Sequence, residues 1–408
     1  MSFSQPDATT VAGWRALPPE YAIPERAPSL EEAQQYCSRL AHSHYENFSV
    51  VTWFLPKHLH QHFYNVYAYC RISDDLGDEV GDPQQALALL DEWESELNAT
   101  YLSLVPQRLK PEIVAGFTGT PEGVPLQGAA GGAPLQGTAE GAPLQGTAEG
   151  VPLQGAAGGA PLQGTAEGVP LQGTEKLAAD FPGRNQVSPR HPVFIALRET
   201  IREFDIPRAP FAELLTAFRQ DQTITRYPTF EDVLGYCKNS ANPVGHLVLY
   251  LCGYRDAERQ QLSDYTCTAL QLANFWQDVA VDYAKGRIYL PLESLAKFGV
   301  TESDIADRRA SPELREMMKF EVERARDWFR MGLPLAAKVD KHLAIDIELF
   351  SRGGLAILDA IARQDYDVLR RRPAISKARK LWLLARAALT KPARGQEQSN
   401  TETRRTLK

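Results

Sequence analysis

Two short acidic stretches have residue types and spacing that could do chemistry. DDLGD begins at Asp74, and QDVAVD begins at Gln277. Residues four apart share one face of a helix, so Asp74 pairs with Asp78, and Asp278 pairs with Asp282. Like charges at this spacing destabilise a helix slightly. Two such pairs in one chain therefore suggest that a cation compensates them.

Each acidic pair shares its helix face with residues that suit a polar site. The first face carries Tyr67 and Arg71, and the second carries Gln271 and Asn274. Mg²⁺ prefers one or two carboxylates together with substrate phosphate. Two such helices facing each other would hold several Mg²⁺ ions, which would grip a diphosphate and stabilise it as a leaving group. The alternative is that each pair is only a solvated helix face.

The composition is that of an ordinary globular protein, and it excludes several classes. The 408 residues are 43% hydrophobic and 23% charged, and the net charge of −7 gives no signal for nucleic acid. The five cysteines form no CxxC pair, which fits free thiols in a reducing cytoplasm. We expect no signal peptide and no membrane span. P-loop, GxSxG and HExxH motifs are absent from the sequence.

A strict nine-residue repeat interrupts the chain. PLQG recurs six times between Pro125 and Gly173, and residues 117–174 hold 15 of the 29 glycines but no Lys, Arg or Asp. Such a segment cannot bury enough apolar area to offset its ordering entropy. We interpret it as a disordered insertion in a surface loop, and the alternative is a binding array or short solenoid.

The rest of the chain predicts an all-α fold with helices around a central space. Pro56, Pro243, Gly286 and Pro291 mark breaks between helical patterns. Apolar residues recur at helical spacing in 31–45, 58–80, 84–103, 210–220, 229–253, 261–285, 312–338, 342–369 and 374–389. The expected organisation is a flexible tail over 1–29, one catalytic domain over 30–116 and 175–390, the insertion at 117–174, and a polar tail over 391–408.

Several of these stretches resemble the squalene and phytoene synthase family. YCRISDDLGDE and LQLANFWQDVAVDYAKGRIYLP resemble its two aspartate-rich motifs, and YCKNSANPVG resembles the helix between them that lines the pocket. HYENFSVVTWFLP resembles the N-terminal segment that contacts diphosphate. Within the family, ENFSV, FWQDV and HPVFIAL resemble the hydroxysqualene synthases of the bacterial hopanoid pathway. The resemblance implies an isoprenoid-synthase-type helical bundle around a central cavity.

The resemblance also implies roles for single residues. It makes Asp74, Asp78, Asp278 and Asp282 the metal-binding and catalytic carboxylates, with Asn274 as a further metal or phosphate ligand. The remaining residues would bind the substrate. Gln271 would line the site, Arg71 and Arg287 would meet diphosphate oxygens, and Phe48, Tyr67 and Val244 would face prenyl chains.

For several residues, the sequence also allows another reading. Tyr289 would contact phosphate or stabilise a carbocation, and ordinary core packing is the alternative for it and for the apolar positions. Arg287 follows Gly286 and could instead lie on the surface. Asp75 points about 100° away from Asp74 on a helix, so its place in the site is open.

The implied activity is the Mg²⁺-dependent conversion of presqualene diphosphate to hydroxysqualene and diphosphate, a carbon–oxygen lyase reaction in squalene and hopanoid biosynthesis. The first alternative is head-to-head condensation of prenyl diphosphates, a transferase reaction giving presqualene diphosphate, squalene or phytoene. The second is a non-catalytic scaffold that uses the repeat as an interaction arm. Both catalytic activities, the lyase reaction and the condensation, imply hand-off of intermediates to other squalene-pathway enzymes.

The C-terminal region suggests a membrane contact. Residues 370–394 carry nine Lys and Arg and no acid, with Trp382 among them. A basic amphipathic helix of this kind can lie on an anionic membrane, here at the cytoplasmic face. The alternative is a helix packed on the body of the protein with its charges in water.

Overall fold

The structure is a computed structural model, and it describes residues 17–18, 21–43, 55–104 and 188–376, together with 379 and 382. The repeat lies outside these residues, as does Phe48. All regular elements of the described residues are helical. They are α1 (Leu30–Ser43), α2 (His60–Asp78), α3 (Pro83–Leu104), α4 (Pro192–Phe204), α5 (Ala209–Gln220), α6 (Phe230–Ser240), α7 (Asn242–Leu251), α8 (Ala257–Ala284), α9 (Leu292–Phe298), α10 (Glu302–Ala306), α11 (Pro312–Gly332) and α12 (Lys341–Arg363), with 3₁₀ turns at Lys57–Leu59 and Leu333–Lys338.

The all-α prediction is confirmed. The pattern over 229–253 forms two helices, α6 and α7, with the break expected at Pro243, because proline has no N–H to continue the ladder. Helices α4, α9 and α10 were not predicted. In α4, residues 192–197 are all buried, and Arg202 and Glu203 are exposed near its end. His191 caps this helix by accepting a hydrogen bond from the backbone N–H of Val193.

The core has two large apolar clusters that lie on either side of the acidic helices. One cluster joins α1 to α5 with part of α7, and Trp93 and Tyr69 stack within it. The other joins α6, α8, α11 and α12 around Trp276. Helix α8 is the longest at 28 residues, and it buries Trp276 and its neighbours as predicted. Each acidic helix is therefore fixed by its apolar side, and its polar side is left for a site.

One buried acid in the fold has no compensating partner. Asp346 on α12 is only 1% exposed, and neither of its carboxylate oxygens has a hydrogen-bond partner in the described part of the chain. Burial, followed by the charge of Asp340, raises the pKa of Asp346 to about 8. An aspartate in an unfolded chain has a pKa of about 3.9. Between these two pKa values, the Asp346 side chain is therefore mostly protonated in the folded protein and mostly ionised in the unfolded chain.

Replacing this acid should make stability less dependent on pH. The contribution of Asp346 is fully favourable below the unfolded pKa and is lost as pH rises through the folded pKa. We expect Asp346→Asn to raise the melting temperature by a few degrees relative to wild type at about pH 8.5, and by less at about pH 5. Asp264→Asn, at a partly exposed position on α8, is the control. An equal shift at both pH values would contradict a protonated Asp346.

Candidate active site

The first acidic pair lies at the C-terminal end of α2. This helix buries Phe63, Tyr69, Ile72 and Leu76 in the first cluster, so Asp74 and Asp78 lie on its less buried side. Asp78 is the last residue of the helix and is only partly buried. The pair therefore lies where α2 meets the rest of the bundle.

The second pair lies at the C-terminal end of α8, where the chain turns sharply. Gly286 has a φ of 83°, a left-handed conformation that favours glycine. The backbone N–H of Arg287 donates to the carbonyl of Asp282 at 2.8 Å, and Ile288 pairs with Arg226 in a single bridge. This turn fixes Arg287 beside the acidic end of α8 rather than free on the surface.

Asp78 connects the ends of the two acidic helices. Its Oδ1 accepts a hydrogen bond from Arg287 Nη1 at 2.8 Å, and its Oδ2 accepts one from Lys285 Nζ at 3.1 Å. Burial opposes ionisation, but these hydrogen bonds hold the pKa of Asp78 below its usual range. The charge of Asp78 also acts on the pKa of Asp282. Residues some two hundred positions apart in sequence thus form one electrostatic site.

One carboxylate of each pair lacks a partner. The side-chain carboxylates of Asp74 and Asp282 make no hydrogen bond or ion pair with any residue that the structure describes. Burial, followed by the charge of Asp78, raises the pKa of Asp74 to about 7. Burial, followed by the charge of Asp278, raises the pKa of Asp282 to about 7. Both groups would gain from a cation that the protein itself does not supply.

This donor set fits Mg²⁺ bound with a diphosphate. Within the described ranges, no group of three or more His, Cys, Asp or Glu side chains is close enough to hold a metal ion by itself. Mg²⁺ commonly binds through one or two carboxylates and completes its coordination with water and substrate phosphate. Two separated carboxylates without partners, flanked by cationic side chains, match that pattern better than an all-protein cage.

Asp278 is held by a residue that the sequence did not assign to the site. Arg372 donates from Nε to Oδ1 of Asp278, and from Nη2 to Oδ2 at 2.9 Å. Its Nη2 also donates to Gln277 Oε1 at 3.2 Å, and Gln277 donates to the carbonyl of Pro373 at 2.6 Å. The start of the basic segment predicted to meet a membrane is thus bound to the acidic end of α8. The signal that would have found Arg372 is a conspicuous run of three arginines at 370–372.

Asp75 points away from the other two acids of its motif. It accepts hydrogen bonds from Arg71 Nε at 2.9 Å and from the hydroxyl of Tyr21 at 2.8 Å. Arg71 was predicted to meet diphosphate, and here its guanidinium is engaged by Asp75 while its charge still acts on the pKa of Asp74. Arg71 therefore lies at the edge of the site, tied to a neighbour on its own helix.

Tyr289 is part of a buried aromatic group behind the acidic residues. Its ring stacks on Phe275 with centroids 3.9 Å apart and planes at 9°. Its hydroxyl donates to Oδ1 of Asp221 at 3.1 Å, and the hydroxyl of Tyr236 donates to Oδ2 of the same carboxylate at 2.6 Å. Neither Asp221 nor the side chain of Tyr236 was assigned a role from the sequence. Tyr236 begins the YCKNSANPVG stretch, which could have pointed to it, whereas Asp221 lies outside every quoted motif.

The remaining predicted residues lie along α2, α7 and α8. Tyr67 is half-buried. Burial raises the pKa of Tyr67, and the charge of Arg71 opposes this rise only in part. Gln271 is half-buried, and Asn274 is exposed one turn before Asp278. Val244 is 40% exposed and opens onto a cavity. Phe48 lies outside the described residues, so its predicted contact with prenyl chains stays a prediction.

An apolar cavity of about 260 Å³ lies beside α8. Helices α7 and α12 form its other walls, and Leu335, Leu343 and Ile347 line it. Leu270 also lines it, one turn of α8 before Asn274 and two turns before Asp278. An α-helix rises 1.5 Å per residue, so the cavity begins about 12 Å from the second acidic pair. A molecule with a charged head and an apolar tail fits this arrangement.

A helical bundle with paired acidic helix ends and an adjoining apolar cavity defines a class of synthases that act on prenyl diphosphates. The squalene/phytoene synthase family model matches residues 41–122 and 162–379, so the chain belongs to the squalene/phytoene synthase family. Within that family it is similar to squalene synthase HpnC from Alicyclobacillus acidocaldarius. That crystal structure shares 35% identity and a TM-score of 0.58, covering 87% of this chain and 98% of the other.

Two characterised relatives extend the comparison. Phytoene synthase from Arthrospira platensis is 31% identical over 228 residues, which are 53% of this chain and 72% of the relative. Hydroxysqualene synthase from Rhodopseudomonas palustris is 33% identical over 189 residues, which are 46% of this chain and 62% of the relative. The protein is therefore an enzyme of the squalene/phytoene synthase family acting on prenyl diphosphates.

Removing one carboxylate from either pair tests the site. We expect Asp78→Ala and Asp278→Ala each to lower turnover by about 100-fold or more, because each also releases a cationic side chain that it now holds. Diphosphate release from a prenyl diphosphate with Mg²⁺ measures turnover, and circular dichroism checks the helices. Asp264→Ala is the matched control on α8, because Asp264 is ion-paired with His246 at 2.7 Å. Near-normal turnover in either site variant would contradict the assignment of that carboxylate to the active site.

Proposed function

We propose that this enzyme converts presqualene diphosphate to hydroxysqualene and diphosphate in a Mg²⁺-dependent reaction. The observation that carries the proposal is the junction at Asp78. There the ends of both acidic helices meet, beside two carboxylates without partners and next to an apolar cavity. The diphosphate would lie at this junction, and the prenyl chains would extend toward the cavity lined by Leu270 and Val244.

Binding of the head group would depend on both acidic and basic residues. Asp74, Asp78, Asp278 and Asp282 would hold Mg²⁺, with Asn274 beside them. When bound, Mg²⁺ would neutralise the diphosphate and make it a better leaving group. Arginine guanidinium groups pair well with phosphate oxygens, so Arg287 and Arg372 would bind the diphosphate if they exchanged their present carboxylate partners for it.

The apolar and aromatic surroundings would control what happens after diphosphate leaves. Departure of the diphosphate from a cyclopropylcarbinyl carbon leaves a cation that bulk water would trap at once. The phenol oxygen of Tyr289, beside Asp221, would stabilise positive charge near it, whereas its ring faces are covered by Phe275 and Tyr227. Exclusion of bulk water by the aromatic group and the cavity wall would allow rearrangement before a single water molecule adds to give the alcohol.

Head-to-head condensation of two prenyl diphosphates is the second candidate. The similarity to phytoene synthases favours it, because one such relative is 31% identical over 53% of this chain and another is 26% identical over 90% of it. The preferred reaction differs in its substrate, which already contains both prenyl chains. The coverage of squalene synthase HpnC and the similarity to a hydroxysqualene synthase support that preference.

A substrate comparison separates these reactions. Purified protein would receive presqualene diphosphate, farnesyl diphosphate or geranylgeranyl diphosphate with Mg²⁺, and products would be identified by mass spectrometry. We expect hydroxysqualene from presqualene diphosphate, little product from the other two, and none after removal of Mg²⁺ by a chelator. Efficient formation of presqualene diphosphate or phytoene from the shorter substrates would instead establish the condensation.

Peripheral contact with a membrane is a further part of the proposal. No helix in the described portion of the chain is both long enough and apolar enough to cross a bilayer. Residues 370–376 are partly anchored, because Arg372 binds Asp278 and Pro373 is buried. Arg370, Arg371, Arg379 and Trp382 are exposed and would meet anionic lipid. Arg370 is also ion-paired with Asp367 at 3.6 Å, and Arg371 donates to Gln364 Oε1 at 3.2 Å.

Vesicle flotation tests the membrane contact. We expect the protein to float with vesicles that contain anionic phospholipid at low salt, and to be released at high salt because screening weakens the attraction. Charge reversal at Arg370, Arg371 and Arg379 should abolish flotation, whereas Arg330→Glu on α11 serves as the control for a single exposed arginine. Protein that stays entirely soluble with anionic vesicles at low salt would contradict the contact.

A further inference from the structure

Asp221 is a buried acid at the site to which neither acidic motif gives a role. It follows the last residue of α5 and is only 7% exposed. Both of its carboxylate oxygens accept a hydrogen bond from a tyrosine hydroxyl. Tyr236 belongs to α6, and Tyr289 follows the turn at Gly286. One carboxylate thus joins three separate parts of the chain.

The rings of both tyrosines are fixed independently of Asp221. Tyr289 lies between Phe275, at 3.9 Å between ring centroids, and Tyr227, at 5.6 Å. The Tyr236 ring contacts the Tyr289 and Phe275 rings at 5.4 Å and 5.9 Å. Packing therefore sets where the two phenol oxygens lie. What packing does not set is the direction in which each hydroxyl hydrogen points.

Asp221 also belongs electrostatically to the acidic site. Its negative charge acts on the pKa values of Asp74 and Arg287, and the charge of Asp78 acts on the pKa of Asp221. Burial raises the pKa of Asp221 to about 6, while the hydrogen bond from Tyr236 and the charge of Arg287 act in the opposite direction. A purely structural acceptor for two phenols would not need a charge, and burying one beside other acids is costly.

We infer that Asp221 is a positioning residue that directs the hydroxyl hydrogens of Tyr236 and Tyr289 toward itself, so that both phenol oxygens present only lone pairs to the reaction space. A phenol has one hydrogen to donate, and a carboxylate can only accept it. Electron-rich oxygens beside the stacked rings favour a cationic carbon and disfavour the return of diphosphate. This inference rests on the proposed function, because it assumes a cationic intermediate at this site.

The test compares Asp221→Asn with wild type. An asparagine keeps the size of the side chain but offers one acceptor oxygen, and its amide hydrogens face the other phenol. We expect kcat for diphosphate release to fall about 100-fold, since misdirected groups at a reacting centre cost about that much, while KM changes by less than about threefold. Tyr101→Phe is the control, because the buried phenol of Tyr101 donates to the carbonyl of Ile206 outside the site.

A double-mutant cycle distinguishes positioning from stability. If Asp221 acts through the two phenols, Asp221→Asn should have little further effect on kcat in a protein that already carries Tyr236→Phe and Tyr289→Phe. Additive losses would overturn the inference. So would a wild-type kcat in Asp221→Asn, or a loss of activity that only parallels a lower melting temperature, as measured against Tyr101→Phe.

The readout is independent of which product forms. Diphosphate release can be followed with any prenyl diphosphate that the wild-type enzyme consumes. If presqualene diphosphate were not converted to hydroxysqualene, the proposed function would fail. The comparison at Asp221 would then be made on the substrate that is consumed, with the same supporting and overturning results.

Discussion

Charge compensation at Asp78 is the interaction on which the site depends. A carboxylate at the end of α2 is held by Arg287 and Lys285, which follow the end of α8. Without these two cations, the acidic ends of the two helices would repel each other. The turn at Gly286 makes the contact possible, because its left-handed backbone brings Arg287 back toward the first helix.

Only two of the four carboxylates in the acidic pairs have a cationic partner among the described residues. Asp78 and Asp278 each have a cationic partner, whereas Asp74 and Asp282 have none among the described residues. Within the described residues, the protein therefore gives a cationic partner to one member of each pair only. The other member of each pair is the acid that the proposed Mg²⁺ would compensate.

Charged and apolar surfaces lie a short distance apart along α8. Leu270 lines the cavity two turns of α8 before Asp278, and Tyr289 belongs to the second core cluster. A single long helix thus carries the apolar wall at Leu270, the amide of Asn274 and the acid of Asp278 in order. This order suits the prenyl diphosphates on which the family acts, because they too have a charged end and an apolar end.

The sequence alone determined the all-α class and the two acidic faces, because helical period and four-residue spacing are local properties of the chain. Pro243 also marked the division between α6 and α7, because proline cannot continue a helix. Helix α4 was nevertheless missed, although Arg202 and Glu203 are exposed opposite its buried residues. Only the tertiary structure decided which charges meet. Arg372 binds Asp278, Arg287 binds Asp78, and Asp221 accepts hydrogen bonds from two phenols, because these contacts join separate elements whose pairing depends on how the helices pack.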